Sequence, residues 1–160
     1  VEEGASYWLL LLVVVFVFFI CAIQFESLRM SAVIVSVIPL SMIGSFLTFC
    51  LTRVQFGSGG FASMVLLIGI TVNSGIYIIS QYRLCARQCK DWRKAYIKAY
   101  SHKIIPVVLT IASTIMGLVP FFIDGTDEPF WFSFATGVTG GLLFSLPAII
   151  FVMPVFVDRK

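Results

Sequence analysis

The sequence predicts an all-α membrane protein, with about five transmembrane helices and one amphipathic helix on the cytoplasmic surface. Three observations predict it. Hydrophobic residues fill 59% of the 160 positions and mean hydropathy is +1.03, far above soluble usage, so a bilayer is the expected solvent. About five apolar runs approach the ~20 residues needed to cross the hydrocarbon. Lys and Arg are gathered in alternate connections. The opening Val1-Glu2-Glu3-Gly4 has neither an initiator Met nor a basic n-region, so the chain reads as a piece of a longer one rather than as starting with a signal peptide.

The first span is expected from about Tyr7 to Ala22, followed by a tight polar turn, Gln24 to Arg29. The second, about Met30 to Leu51, contains Pro39, whose missing N–H and ring clash should kink it near the middle. Thr52 to Gly60 is a short loop, given turn freedom by Gly57, Gly59 and Gly60. The third span runs from about Phe61 to Gln81. Arg83 to Lys103 differs in kind, because Arg83, Arg87, Lys90, Arg93, Lys94, Lys98 and Lys103 alternate with Leu84, Trp92, Ala95, Tyr96 and Ile97. That pattern predicts a basic helix lying along the headgroups. The fourth span, about Ile104 to Ile123, carries Pro106 in its expected first turn, where a lost N–H is tolerated. Asp124 to Pro129 forms an acidic loop, and the fifth span runs from about Phe130 to Val157.

Short loops rich in Lys and Arg stay cytoplasmic. Five alternating spans put every one of the eleven except Arg53 on a single side. The chain therefore enters from outside and ends in the cytoplasm, with the acidic loop outside. Anionic lipid, and not nucleic acid, is the expected partner of the basic segment.

The densest cluster of small and polar residues at membrane depth is Gly69-Ile70-Thr71-Val72-Asn73-Ser74-Gly75-Ile76-Tyr77. An amide in hydrocarbon without a partner costs several kcal/mol, so Asn73 must find one. Ser113 with Gly117, and Gly137 with Gly141, are small residues four apart, a spacing that permits close helix approach.

The runs Gln24-Phe25-Glu26-Ser27-Leu28, Val37-Ile38-Pro39-Leu40-Ser41-Met42-Ile43-Gly44 and Leu66-Leu67-Ile68-Gly69-Ile70-Thr71-Val72-Asn73-Ser74 resemble successive signatures of the resistance-nodulation-division (RND) permeases. So do Ile105-Pro106-Val107-Val108-Leu109-Thr110, Gly117-Leu118-Val119-Pro120, Gly140-Gly141 and Val152-Met153-Pro154-Val155-Phe156. The resemblance covers nearly the whole chain in order. It implies the eighth to twelfth helices of a twelve-helix permease, part of one half of a pseudo-symmetric repeat pair. It further implies a homotrimer in the bacterial inner membrane that exports hydrophobic or amphiphilic compounds on inward proton flow. The implied partners are the carboxylate-bearing first half of the permease, a periplasmic adaptor and an outer-membrane channel.

In that family a buried proton relay pairs carboxylates on the fourth helix with responding residues on the tenth and eleventh. Carried over by position, the responders are Asn73 with its neighbour Ser74, then Lys103 and Thr110. Asn73 departs from the pattern, since many drug pumps of the family have Lys there. An Asn can donate hydrogen bonds to a carboxylate but cannot neutralise it, which leaves that part to Lys103. No Asp or Glu falls inside any expected span, so the proton acceptor must come from elsewhere.

Plainer readings stand beside these. Asn73 and Ser74 also fit interhelical hydrogen bonding, Lys103 fits a snorkelling anchor, and Thr110 fits a bond to its own helix. His102 sits among interfacial charges. Glu26 fits a cap on the second span. Cys21, Cys50, Cys85 and Cys89 form no C-x-x-C and have no nearby His, so neither a metal nor any cofactor is expected. The alternative to a pump subunit is a non-pumping membrane module of the same superfamily, of the sterol-sensing or protein-export accessory kind.

Overall fold

The structure is a computed structural model that describes residues 2–88, 90–123 and 128–158. It is all-α among those residues, and each of its five helices is long and apolar enough to cross a membrane. They are α1 Glu2–Phe25, α2 Leu28–Thr52, α3 Gly57–Ala86, α4 Trp92–Ile123 and α5 Pro129–Asp158. Four of the expected acidic-loop residues, 124–127, lie outside the described set, as do Cys89 and residues 159–160.

The α1–α2 and α2–α3 connections are short because local chemistry ends the helices sharply there. After Phe25, Glu26 takes a left-handed φ of 47° and turns the chain. The expected cap does not form: Ser27 is the N-cap of α2, and no side-chain cap hydrogen bond is made there. The turn is instead held from α3, where Arg83 Nη1 donates to the Phe25 carbonyl at 2.7 Å with its guanidinium 5.9 Å from the Phe25 ring. That bond satisfies one of the carbonyls a helix end leaves open. At the opposite end, Arg53 and Gly57 take φ of 55° and 40°, and Ser133 Oγ of α5 lies 2.9 Å from both the Gln55 and Phe56 carbonyls. Phe56 fills the corner against Phe46, Phe49 and Phe61.

The basic segment departs from expectation. It is no separate surface helix: Arg83 belongs to the last turn of α3, and 92–103 are the first turns of α4 itself. Two facts explain this. Ala95 and Ala99, four residues apart, bury on α3 beside Cys85 and Tyr82, so this stretch packs on protein along one stripe. Nothing between Lys103 and Pro106 stops the helix, and Pro106 falls well inside α4 rather than in its first turn. Proline is tolerated there because neighbouring groups re-satisfy the backbone within a membrane helix.

Helix α3 is the hub and touches the other four helices. Around it α1, α2, α5 and α4 form an arc, each touching the next. Among the described residues α1 and α4 do not touch, so the arc is open between them. Glycines set how closely α5 approaches. A Cβ at Gly137 would fall on Ser63 Oγ, and one at Gly141 on Leu67, both on α3. On the other side of α5, a Cβ at Gly140 would meet Thr48, while one at Gly44 would meet Phe144, so α2 and α5 exchange a glycine for a side chain in each direction. Gly117 of α4, by contrast, has nothing within 4 Å of an added Cβ.

The side chains met, Ser63 and Leu67, are themselves fully buried and have little free space to turn into. Gly137→Leu and Gly141→Leu are therefore expected to destabilise the bundle by about 1–3 kcal/mol each, the usual cost of overpacking. Lowered denaturation midpoints in detergent, with Gly117→Leu in the same chain near the unmutated value, is the expected result.

Candidate functional site

The opening between α1 and α4 exposes one stripe of α3. Leu66, Gly69, Asn73 and Tyr77, spaced three or four apart, are its exposed positions, whereas Leu67, Ile68, Thr71, Ser74, Ile78 and Ile79 are buried toward the other helices. Gly69 has nothing within 4 Å of an added Cβ. The Asn73 amide thus sits one turn from a glycine, on a face that can admit another helix closely.

Helix α4 presents two different outer flanks. Val107, Ile111 and Leu118 are buried on α3 and α5. To one side of that stripe, by helical spacing, lie Pro106, Thr110, Ser113, Gly117 and Pro120, all exposed and all small, polar or proline. To the other lie Ile105, Val108, Ala112, Met116 and Val119, all exposed and all apolar. Lys103, half-buried, shares the polar side, seven residues and so two turns from Thr110.

The residues expected to act together fall into two sets. Asn73, Thr110, Ser113 and Gly117 are exposed, while Ser74 is buried. The Ser74 hydroxyl donates to the Ile70 carbonyl at 2.9 Å, and Thr110 Oγ1 donates to the Pro106 carbonyl at 2.9 Å. Thr114 repeats that bond to the Thr110 carbonyl at 2.8 Å. Among the described residues no hydrogen bond joins Asn73, Lys103 and Thr110 to one another. Gly137 and Gly141 lie at the α5–α3 contact, whereas Ser113 and Gly117 are exposed and an added Cβ at Gly117 meets nothing within 4 Å. His102 is exposed; Cys21 and Cys85 are buried free thiols, and Cys50 is an exposed one.

Three polar features were not singled out from sequence. Thr71 Oγ1 and Ser41 Oγ are 3.3 Å apart, a buried pair that joins α3 to α2 two residues beyond Pro39. Arg83 and Ser133 each hold a distant loop carbonyl, as described above. Thr71 and Ser41 both stand in the quoted signature runs, which was the available signal. Nothing local marks Arg83 or Ser133, since their partners are backbone atoms more than fifty residues away.

Residues 2–157 match the AcrB/AcrD/AcrF family. The toluene efflux pump membrane transporter TtgB of Pseudomonas putida is 28% identical over 144 residues, covering 89% of this chain and 14% of that protein. The multidrug resistance protein MdtF of Escherichia coli is 25% identical over 144 residues, covering 89% and 14%. The swarming motility protein SwrC of Bacillus subtilis is 22% identical over 148 residues, covering 91% and 14%. The chain therefore spans 14% of the length of each of these relatives.

Burial separates Asn73 from its neighbour two residues back. In the 160-residue chain in detergent, Asn73→Leu is expected to change stability by no more than about 0.5 kcal/mol, as at exposed positions generally. Thr71→Leu should cost about 1–3 kcal/mol through overpacking beside Ser41. Equal losses for both, in matched thermal melts, would mean that Asn73 is packed inside the bundle.

Proposed function

The chain belongs to the AcrB/AcrD/AcrF family, and on that premise we propose that it forms membrane part of a proton-driven export pump for hydrophobic or amphiphilic compounds. The observation that carries this reading is the open face between α1 and α4. An amide at membrane depth, a glycine one turn away and the polar flank of α4 border an opening that this chain does not fill. A surface of that kind is costly against lipid and suits another helix.

In this reading the occupant is a carboxylate-bearing helix from the remainder of the permease. A carboxylate seated there accepts hydrogen bonds from the Asn73 amide and lies within the field of Lys103. When it is charged, both interactions hold it; when it takes a proton, the attraction to Lys103 is lost. That difference between protonation states is what a proton-coupled transporter needs to shift the balance of two conformations. Thr110 and Ser74 have satisfied their hydroxyl protons within their own helices, so each can still accept a hydrogen bond but lends no charge. The spans themselves hold no Asp or Glu, and the chain by itself transports nothing.

The assembly that goes with this reading is a homotrimer in the bacterial inner membrane, joined to a periplasmic adaptor and an outer-membrane channel, with the C-terminus in the cytoplasm. The similarity to efflux transporters supports the export role, and the asymmetry of Lys and Arg supports the orientation.

In the full-length protein, Asn73→Ala and Lys103→Ala should each lower export driven by an imposed pH gradient by about tenfold or more, since a hydrogen bond to a charged group is worth about 1.5–3 kcal/mol. Cys50→Ala, at an exposed position, should leave the rate unchanged. Vesicle efflux at matched expression measures this, and unmutated rates in both the Asn73 and Lys103 variants would return these residues to helix packing.

Orientation has its own test. Cys85 is buried, so its failure to react would say nothing. Cysteines placed at the exposed Gln55 and Gln88, in a background without native cysteines, report instead. An impermeant maleimide added to intact cells should label Gln55→Cys and spare Gln88→Cys; the reverse pattern inverts the topology.

A further inference from the structure

Where α4 begins and α5 ends, the two helices enclose a groove of about 350 Å³ lined by Trp92, Arg93, Tyr96, Ile97, Pro154 and Val155. We propose that this groove is a binding site for one anionic phospholipid, its phosphate on Arg93 and one acyl chain on Ile97 and Val155. The inference rests on the orientation argued above only for the leaflet it assigns, which is the cytoplasmic one.

The chemistry of the lining divides along the groove. At its outer end Arg93 is exposed, with its guanidinium 5.3 Å from the Trp92 ring. Arg supplies a planar fork of donors suited to a phosphate, and Trp and Tyr are the side chains that settle at headgroup level. Lys94 and Lys98 are exposed on neighbouring positions, and Asp91 is the only acid in the basic segment, 3.5 Å from Lys94. The α4 side of this end is therefore net positive. Deeper in, Ile97 is 67% exposed and Val155 62%, which is apolar surface that water would not tolerate.

Helical spacing decides which occupant the groove faces. Arg93 and Ile97 are four apart, and Ile104 and Val108 continue the same side of α4. That is the apolar flank, turned away from Thr110, Ser113 and Gly117. The groove consequently opens toward bilayer and not toward the opening where the remainder of the chain is placed. A chain lying along it passes from a cationic, aromatic end onto continuous hydrocarbon-facing surface. A single-chain detergent would use the apolar part alone; only an anionic headgroup uses Arg93 as well.

Photolabelling of the full-length protein in lipid nanodiscs tests this directly. Phosphatidylglycerol carrying a diazirine in one acyl chain is expected to label peptides containing Ile97 and Val155, and unlabelled phosphatidylglycerol should displace it while phosphatidylcholine should not. Arg93→Gln should lower labelling by about fivefold, the factor that one surface cation contributes toward anionic lipid. Arg93→Lys should keep most of the labelling, and Ile97→Trp, which fills the groove, should abolish it while size-exclusion profiles stay unchanged. Equal displacement by phosphatidylcholine, labelling elsewhere, or full labelling of Arg93→Gln would each overturn the site. None of these readouts depends on transport, so a failed export assay leaves the lipid site standing, and a failed labelling leaves the pump reading standing.

Discussion

The structure depends on how near α5 can come to α2 and α3. Hydrocarbon offers no hydrophobic drive between helices, since lipid is as apolar as Leu, so association rests on close van der Waals contact and on hydrogen bonds. Four glycines provide the contact: Gly137 and Gly141 admit Ser63 and Leu67 of α3, Gly140 admits Thr48 of α2, and Gly44 of α2 admits Phe144 of α5. The residue spacing follows from chain direction. Positions rise together on α3 and α5, which run parallel, and run opposite ways on α2 and α5, which are antiparallel. With those three helices locked, α1 and α4 attach at the two ends of the arc, and the opening between them, floored by α3, is set in part by α2 and α5, which do not border it.

Hydroxyls then explain why one residue stands apart. Ser31, Ser74, Thr110, Thr114 and Thr136 each donate to a carbonyl of the preceding turn. A hydroxyl needs only that one donation, so Ser and Thr are cheap at membrane depth. An amide carries two donors and an acceptor and cannot be satisfied within its own helix in the same way. Asn73 is therefore an amide on the open stripe of α3 that still needs a partner, as the buried hydroxyls of Ser45, Tyr96 and Thr139 also do among the described residues.

Sequence made the spans legible because their apolar runs exceed any competing signal, and Gly137 with Gly141 carried a spacing that the α3 contact uses. It could not separate Asn73 from Ser74, which are adjacent in sequence yet face opposite environments, because direction depends on where the other helices stand. The basic segment departs from its sequence pattern for a related reason. Its cations satisfy an amphipathic pattern, but Ala95 and Ala99 are small enough to seat on α3, and that stripe matters more than the charges around it. The Arg83 bond to the Phe25 carbonyl was invisible altogether, since α1 and α3 meet only after α2 has turned the chain back.

Helix α4 illustrates how one element can serve two solvents. A helix facing lipid all round gains nothing from Thr, Ser or Pro on its surface, and a helix buried all round would not leave Met116 at 73% exposure. Here the polar and proline-bearing flank borders the opening, the apolar flank borders bilayer, and the buried stripe between them holds the helix to α3 and α5. The same division extends to the cationic end, where charge on one helix is split between its two flanks, Lys103 on the polar one and Arg93 on the apolar one.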